Sequence, residues 1–481
     1  MKIIINDNEK NINESSISLL DLLKQSNVQN PDMISVQLNG TFIKKEEYPH
    51  TTIKDGDVID YIYFMGGGQN TISGFSTRVI HAPYLKKDQH NALCMPIYSN
   101  AAFEFESAEA MEDAFLGRQP AHMYSRISNP TVENFEQKVR TITDALQVTA
   151  VSSGMAAITN TIITLTEQGD NIITTSHLFG NTYSLFSSTL RDLGIESKFI
   201  DLTNKEEIIK NIDNNTKAIF FETITNPQLE VVDIKQLSEI AKTHNLLLIA
   251  DTTLTPPNIF HAKGFGIDIE LVSSTKIISG GATSVGGLII DYGTFDWSKI
   301  KKLQKYYSQY GYFTFNYKLR KEVFRNLGAC LSPYHAYLQS LGMETLSMRF
   351  DKAASNSYAL AKFLSSQSKI RSVNYPGLEN SIFYDISLKQ FKKNPCSMLT
   401  FNLQSKEMCF KFLNKLQLIR RATNISDNKT LILHPASTIY CEYSKEKREE
   451  LGISDTLLRI TTGIEEPDDL INDITNALNN I

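Results

Sequence analysis

Apolar positions in the first 68 residues come in short runs separated by turn residues. Ile3–Ile5 reads as a strand, and Ser18-Leu-Leu-Asp-Leu-Leu-Lys24 sets its leucines on one face of a helix. Ser35-Val-Gln-Leu-Asn-Gly40 alternates as a strand and ends in Asn39-Gly40, a pair that tight hairpins favour because both residues tolerate positive φ. A second turn, Lys54-Asp-Gly-Asp57, leads into the strand Val58–Phe64, which runs out into Met65-Gly66-Gly67-Gly68. Residues 69–110 lack strong periodicity and are rich in turn formers, which predicts an extended arm, with a helix over Ser107–Leu116. From Asn129-Pro130 a helix begins, with proline in its first turn, and it continues over Glu133–Arg140.

Beyond it, strands and helices alternate at the interval typical of a parallel α/β sheet. The predicted strands are Val148–Val151, Asn171–Thr174, Ser197–Ile200, Ala218–Phe221, Leu246–Ala250, Ile269–Val272 and Gly287–Ile290. Ser332–Leu346 starts a long helix that runs on past Arg349. These changes of pattern divide the chain into a small domain (1–68), an arm (69–130), a large α/β domain (131–330) and a smaller C-terminal domain (331–481).

Composition narrows the class. With 41% hydrophobic and 21% charged residues, the 481-residue chain is an ordinary globular protein. A net charge of −5 leaves no basic field for nucleic acid, and no apolar run approaches a membrane span. The five cysteines, Cys94, Cys330, Cys396, Cys409 and Cys441, are scattered without paired spacing, so neither disulfides nor a metal site is expected. Together with an N-terminus that turns polar after three apolar residues, this suits a cytoplasmic enzyme.

The candidate chemistry lies in the large domain. Leu271-Val-Ser-Ser-Thr-Lys276 delivers an amine to the end of a buried strand, beside Ser273 and Thr275, where desolvation lowers a lysine's pKa and favours Schiff-base formation. Leu247-Leu-Ile-Ala-Asp251 places a carboxylate at the C-terminal end of another strand, where α/β sheets bind ligands. Ser152-Ser-Gly-Met-Ala-Ala157 is a small-residue turn into a helix, open to an anion. Alone, each also fits a structural role: a surface lysine, a buried structural aspartate, a tight packing turn. In order, they suit pyridoxal phosphate (PLP), with aspartate on the ring nitrogen, lysine on the aldehyde and the turn on the phosphate. Tyr124 and Arg126, one residue apart, form a candidate phosphate clamp.

Residues 1–68, through Ser18–Leu23, Leu38-Asn-Gly40, Ile53–Val58 and the glycine tail, resemble the ubiquitin-like sulfur carriers of thiamin and molybdopterin synthesis, the ThiS-like β-grasp domains. That resemblance implies a di-glycine end that is adenylated and converted to a thiocarboxylate. Here Gly68 is followed by Gln69. Either a protease cuts near Gly67 or Gly68, with an adenylating and sulfur-transfer enzyme acting on the new end, or the domain is a fused remnant or docking module.

Residues from about 71 to 481 resemble the Cys/Met-metabolism family of fold-type I PLP enzymes, its O-acetylhomoserine sulfhydrylases above all. The resemblance is carried by Tyr124–Thr131, Ser153–Ala157, His177–Tyr183, Glu222-Thr-Ile-Thr-Asn-Pro227, Ala250–Thr253 and Ser273–Ile277. It implies that Lys276 binds the cofactor covalently and Asp251 its ring nitrogen. Gly154 and Met155 would offer N–H groups to the phosphate, and Ser273 and Thr275 hydroxyls. Thr253 and Asn226 would lie around the ring and Phe179 would stack on it. The family usually has tyrosine at Phe179, so proton transfer here would fall on Lys276, with Tyr124 assisting. Tyr124 and Arg126 would reach the phosphate of a neighbouring subunit in a homodimer or homotetramer. Arg459, with Asn424, would take the substrate carboxylate; His434 reads as a packed structural histidine. The implied reaction is γ-replacement on O-acetylhomoserine by sulfide or a carrier thiocarboxylate, giving homocysteine and acetate. The alternatives are a cystathionine γ-synthase or γ-lyase reaction, or a sulfur-carrier precursor with an auxiliary PLP part.

Overall fold

The computed structural model describes residues 1–5, 8–26, 34–43, 47–63, 74–82, 88, 90–116, 118–119 and 121–481. The glycine run that contains Gly67 and Gly68 lies outside the described residues. Three principal sheets organise the chain, in sequence order.

The first has strand order Asn8–Asn11, Lys2–Ile5, Val58–Tyr63, Ile34–Leu38, Thr41–Ile43. Lys2–Ile5 and Val58–Tyr63 are parallel; the other pairs are antiparallel. Ser18 caps the helix Leu19–Gln25 by accepting the Asp21 N–H at 3.1 Å. That helix buries Leu19, Leu22 and Leu23 against Ile3, Ile5, Val36 and Ile59. Asn39 and Gly40 both take positive φ, 52° and 79°, at the expected hairpin turn. This is a β-grasp fold. Asn8–Asn11 escaped the hydrophobic pattern because its sequence, Asn-Glu-Lys-Asn, is wholly polar. Strand Thr41–Ile43 lies against helix Lys301–Tyr310, and Gln37 Nε2 donates to the Gln309 carbonyl at 3.0 Å.

The second sheet has seven strands in the order Glu196–Phe199, Asn171–Thr174, Thr216–Glu222, Leu247–Asp251, Ile269–Val272, Gly287–Asp291, Gln147–Val151. Within the apolar strands alternate residues serve opposite faces. Ile219, Phe221, Leu248 and Ala250 join one core, while Ala218, Phe220, Leu247 and Ile249 join the other. All seven expected strands are present, but the sheet is mixed. Gly287–Asp291 runs antiparallel to both neighbours. Residues 273–286 contain no α-helix to carry the chain back across a face. They stay at one end of the sheet, where Thr275 Oγ1 donates to the Gly286 carbonyl at 3.1 Å and accepts the Gly286 N–H at 3.0 Å. The next strand must therefore start from that end and run the other way.

The third sheet, order Ser372–Asn374, Met398–Asn402, Leu457–Thr461, Leu431–Leu433, Arg420–Arg421, is covered by helices Leu346–Ser365, Lys406–Lys415 and Pro467–Asn479. The expected single long helix is two, Pro333–Glu344 and Leu346–Ser365, interrupted at Thr345. Gly342 presses on the loop after Lys276, where a Cβ would stand 2.2 Å from the Ile278 carbonyl oxygen. Arg349 ties the same loop by donating to the Ile277 carbonyl at 2.7 Å. In the arm, a helix absent from the sequence reading, Phe75–Ile80, packs on Pro130–Thr143. Its six residues are too few for helical periodicity to show. Among the described residues no helix is long and apolar enough to cross a membrane, and no group of His, Cys, Asp or Glu could hold a metal ion.

Candidate active site

The strands Thr216–Glu222, Leu247–Asp251 and Ile269–Val272 end at one edge of the seven-stranded sheet, facing the loop Thr423–Ile425 of the third sheet. Between them is a cavity of about 460 Å³. Asp251 enters it from its strand end, where Oδ1 accepts the Thr253 N–H at 2.9 Å. Burial raises the Asp251 pKa, opposed by the Thr253 hydrogen bonds and the charge of Lys276. The Thr253 hydroxyl in turn accepts the Ser273 N–H at 2.9 Å, which couples the aspartate loop to the lysine loop.

Lys276 reaches into the same cavity and donates from Nζ to Asn424 Oδ1 at 2.8 Å. Its pKa falls to about 8, mainly through burial and then through the positive charge of Arg459, against the pull of Asp251 and Asp427. About a tenth of this amine is therefore neutral and nucleophilic at pH 7, far more than for an ordinary lysine.

Ser153 caps helix Gly154–Leu165, accepting the Ala156 N–H at 3.1 Å. The helix N-terminus opens on the cavity and offers its first N–H groups to an anion. Gly154 is required by close approach: a Cβ there would stand 2.7 Å from Ser273 Cβ. This backbone cradle, one wall of which a side chain would fill, fits a phosphate. An acid at a strand end and a desolvated amine in the same cavity fit a pyridine ring and an aldehyde, so the residues present suit PLP. Thr275 also lines the cavity, where its hydroxyl is engaged with both backbone groups of Gly286.

Arg459 forms the far wall. Only 2% exposed, it donates to Asn226 Oδ1 at 3.1 Å and to the carbonyls of Thr423 at 3.1 Å and Asn424 at 3.2 Å. None of these partners is anionic, and its Nε has no partner. Burial lowers its pKa to about 10. A buried cation without a counter-ion is costly and suits an anionic ligand.

Phe179 lines the cavity, and its N–H donates to Glu222 Oε1 at 2.7 Å. Glu222, a cavity-lining carboxylate in register with Asp251, belongs to the motif Glu222–Pro227, to which the sequence alone assigns no acidic role. Strand-terminal position was a usable signal for Asp251 and applied equally to Glu222. Tyr124 and Arg126 are not brought to this cavity by their own chain. Tyr124 is 44% exposed, and Arg126 donates to the Arg325 carbonyl at 2.6 Å. His434 is buried, with Nδ1 2.8 Å from Ser437 Oγ and Nε2 2.9 Å from the Asp455 carbonyl, which suits a packed histidine.

The mixed sheet, the lysine loop and the anion cradle define a fold-type I PLP enzyme, and comparison with known proteins agrees. Residues 76–479 match the Cys/Met metabolism PLP-dependent enzymes, and the chain belongs to that family. Residues 3–68 match the ThiS family. The O-acetyl-L-homoserine sulfhydrylase of Corynebacterium glutamicum is 34% identical over 83% of this chain and 96% of its own length. The L-methionine gamma-lyase of Fusobacterium nucleatum subsp. nucleatum is 34% identical over 85% and 99%. A Campylobacter jejuni structure, provisionally assigned as an O-acetylhomoserine (thiol)-lyase and solved with pyridoxyl-lysine phosphate, superposes with TM-score 0.79 at 32% identity. It covers 84% of this chain and all of the other. An O-acetylhomoserine sulfhydrylase of Wolinella succinogenes, described with a novel mechanism of sulfur transfer in methionine biosynthesis, has TM-score 0.66 and 46% identity. That match covers 73% of this chain and 97% of the other.

Proposed function

We propose that the chain catalyses PLP-dependent γ-replacement on O-acetylhomoserine, with sulfur entering and acetate leaving to give homocysteine. The observation that carries the substrate half is Arg459, a buried guanidinium with only neutral partners, in one cavity with Lys276 and Asp251. The sulfhydrylase relatives carry the reaction half.

Lys276 would hold the cofactor covalently, Asp251 its ring nitrogen, and Gly154, Met155 and Ser273 its phosphate. Thr253 and Asn226 would flank the ring, with Phe179 stacked on it. Bound there, PLP supplies an electron sink for negative charge developing on the substrate's carbon chain. Arg459 takes the α-carboxylate in a paired hydrogen bond, with Asn424 beside it. Lys276 Nζ, whose pKa of about 8 suits both uptake and return of a proton, removes the α-proton and carries protons along the chain. The γ-carbon–oxygen bond breaks with release of acetate, and a carbon–sulfur bond forms at the same carbon. Phe179 has no hydroxyl to share this work. We assign Tyr124 and Arg126 of a second copy to the phosphate, Tyr124 also assisting proton transfer, so that the working unit is at least a homodimer.

The cavity also bears on the ester. Among the described residues that line it, Lys276 and Arg459 are the only lysine or arginine side chains. Within one chain neither is free for a second carboxylate or a phosphate, and the relatives named for O-acetylhomoserine support the acetyl ester. With sulfide supplied, the purified enzyme should turn over the acetyl ester with the highest kcat/KM of the three. A higher kcat/KM for the succinyl or phosphoryl ester would overturn the choice of ester.

For the sulfur donor we propose two sources, free sulfide and a thiocarboxylate on the β-grasp domain formed after cleavage near Gly67 or Gly68. The match of residues 3–68 to the ThiS family supports the second. Intact mass of the protein isolated from cells making homocysteine tests it: a chain ending at Gly67 or Gly68 is expected, and a single uncut chain would contradict it.

A further inference from the structure

Among the described residues that line the cavity, Glu222 is the one acid that the mechanism above leaves without a task. It ends strand Thr216–Glu222 in register with Asp251 on the adjacent parallel strand, so the two carboxylates project to the same side. It is 6% exposed. Burial and the charge of Asp251 both raise its pKa, and no cation offsets them. Each oxygen instead accepts one backbone N–H: Oε1 from Phe179 at 2.7 Å and Oε2 from Asn226 at 3.2 Å.

Those two N–H groups belong to two separate segments of chain that line the site. Phe179 carries the aromatic face at the start of helix Gly180–Ser184. Asn226 carries the Oδ1 that accepts from Arg459 Nη1. The Tyr440 hydroxyl reaches the same two segments, 3.2 Å from the Leu178 carbonyl and 3.4 Å from the Asn226 carbonyl. The carboxylate takes the donors and the phenol meets the acceptors of two loops that have no strand pairing between them.

We propose that Glu222 is a positioning residue, the hub of a clamp that fixes the distance between the Phe179 ring and the Arg459 guanidinium. The clamp sets where the substrate carboxylate sits relative to the cofactor ring, so it rests on the cofactor and substrate sites proposed above. It also places a second carboxylate beside Asp251, at the ring-nitrogen end of the cavity. A hydrophobic or merely space-filling residue would do neither.

The test uses the PLP-loaded full-length protein and Glu222→Gln. Glutamine keeps the shape, but it turns an amide NH2 toward one of the two backbone N–H groups that the carboxyl oxygens accept, and it cannot ionise. The probe is L-norvaline, which has the α-amino and carboxylate groups and no leaving group, titrated by the change in the cofactor's visible absorption. E222Q should bind it about tenfold more weakly than the parent. In an Arg459→Lys background E222Q should add little, because the anchor it positions is already lost. The pH midpoint of the visible band should also move. Unchanged norvaline affinity, or equal losses in both backgrounds, would overturn the clamp. Unfolding of E222Q together with Glu222→Ala, read by circular dichroism, would overturn it too, by making Glu222 a residue of the fold itself. If the parent does not bind norvaline, the substrate-site reading fails separately. The visible band then decides, and a midpoint that E222Q leaves in place refutes the clamp.

Discussion

Lys276 Nζ donates to Asn424 Oδ1 at 2.8 Å, across 148 positions of sequence and from the loop of one sheet to the loop of another. The same asparagine offers its carbonyl to Arg459 Nη2 at 3.2 Å and its Nδ2 to Asp427 at 3.2 Å. The cavity therefore depends on how the large and small sheets are seated. Asn424→Ala removes a hydrogen bond to a charged group, worth about 1.5–3 kcal/mol. The expected loss in kcat/KM is about 10- to 100-fold, with circular dichroism unchanged.

The depressed pKa of Lys276 has a definite sign in pH. In the folded chain the amine loses its proton near pH 8 rather than near the ordinary value of 10.5. Attachment of PLP to the cofactor-free protein should accelerate through about pH 8 and then level off. Between about 8 and 10.5 the unfolded chain binds the extra proton, so this lysine's contribution makes stability rise with pH across that window. Stopped-flow absorbance and thermal melts across pH read the two effects. Lys276→Ala should lack both the visible band and turnover.

Arg459→Lys keeps the charge and loses the planar fork that meets a carboxylate in two bonds. KM for the amino-acid substrate should rise by about 10- to 100-fold, with a smaller change in kcat. A kcat-only loss would place Arg459 outside substrate binding.

Tyr124 and Arg126 are not among the residues that line their own cavity, which makes their service to a second copy testable by mixing. Lys276→Ala and Arg126→Ala subunits, each poorly active alone, should recover about a quarter of parental activity when co-expressed, because about half of randomly paired dimers are mixed and each mixed dimer holds one intact site. Absence of recovery, with mixed oligomers confirmed by mass, would contradict assembly of the site in trans.

The legibility of this protein from its sequence follows the physics of each element. Buried strands such as Leu247–Asp251 announce themselves because both faces are covered and the positions before the terminal aspartate are all apolar. The strand Asn8–Asn11 has no such constraint and was missed. Strand direction is not a local property: Gly287–Asp291 looks like its neighbours, and only the path of residues 273–286 reverses it. Lys276 and Asp251 were readable because their residue types are unusual at the ends of apolar strands. Glu222 stands in the same position, but its work is to hold two backbone N–H groups from distant loops, and a sequence does not display such partners.

The central claim is replacement at the γ-carbon, and product analysis with the purified full-length protein, PLP, O-acetylhomoserine and sulfide tests it most directly. Homocysteine and acetate in equal amounts are expected, with little acetate released when sulfide is omitted. Acetate accompanied by 2-oxobutyrate and ammonia, without homocysteine, would contradict the account and place the chain with the γ-lyases of its family.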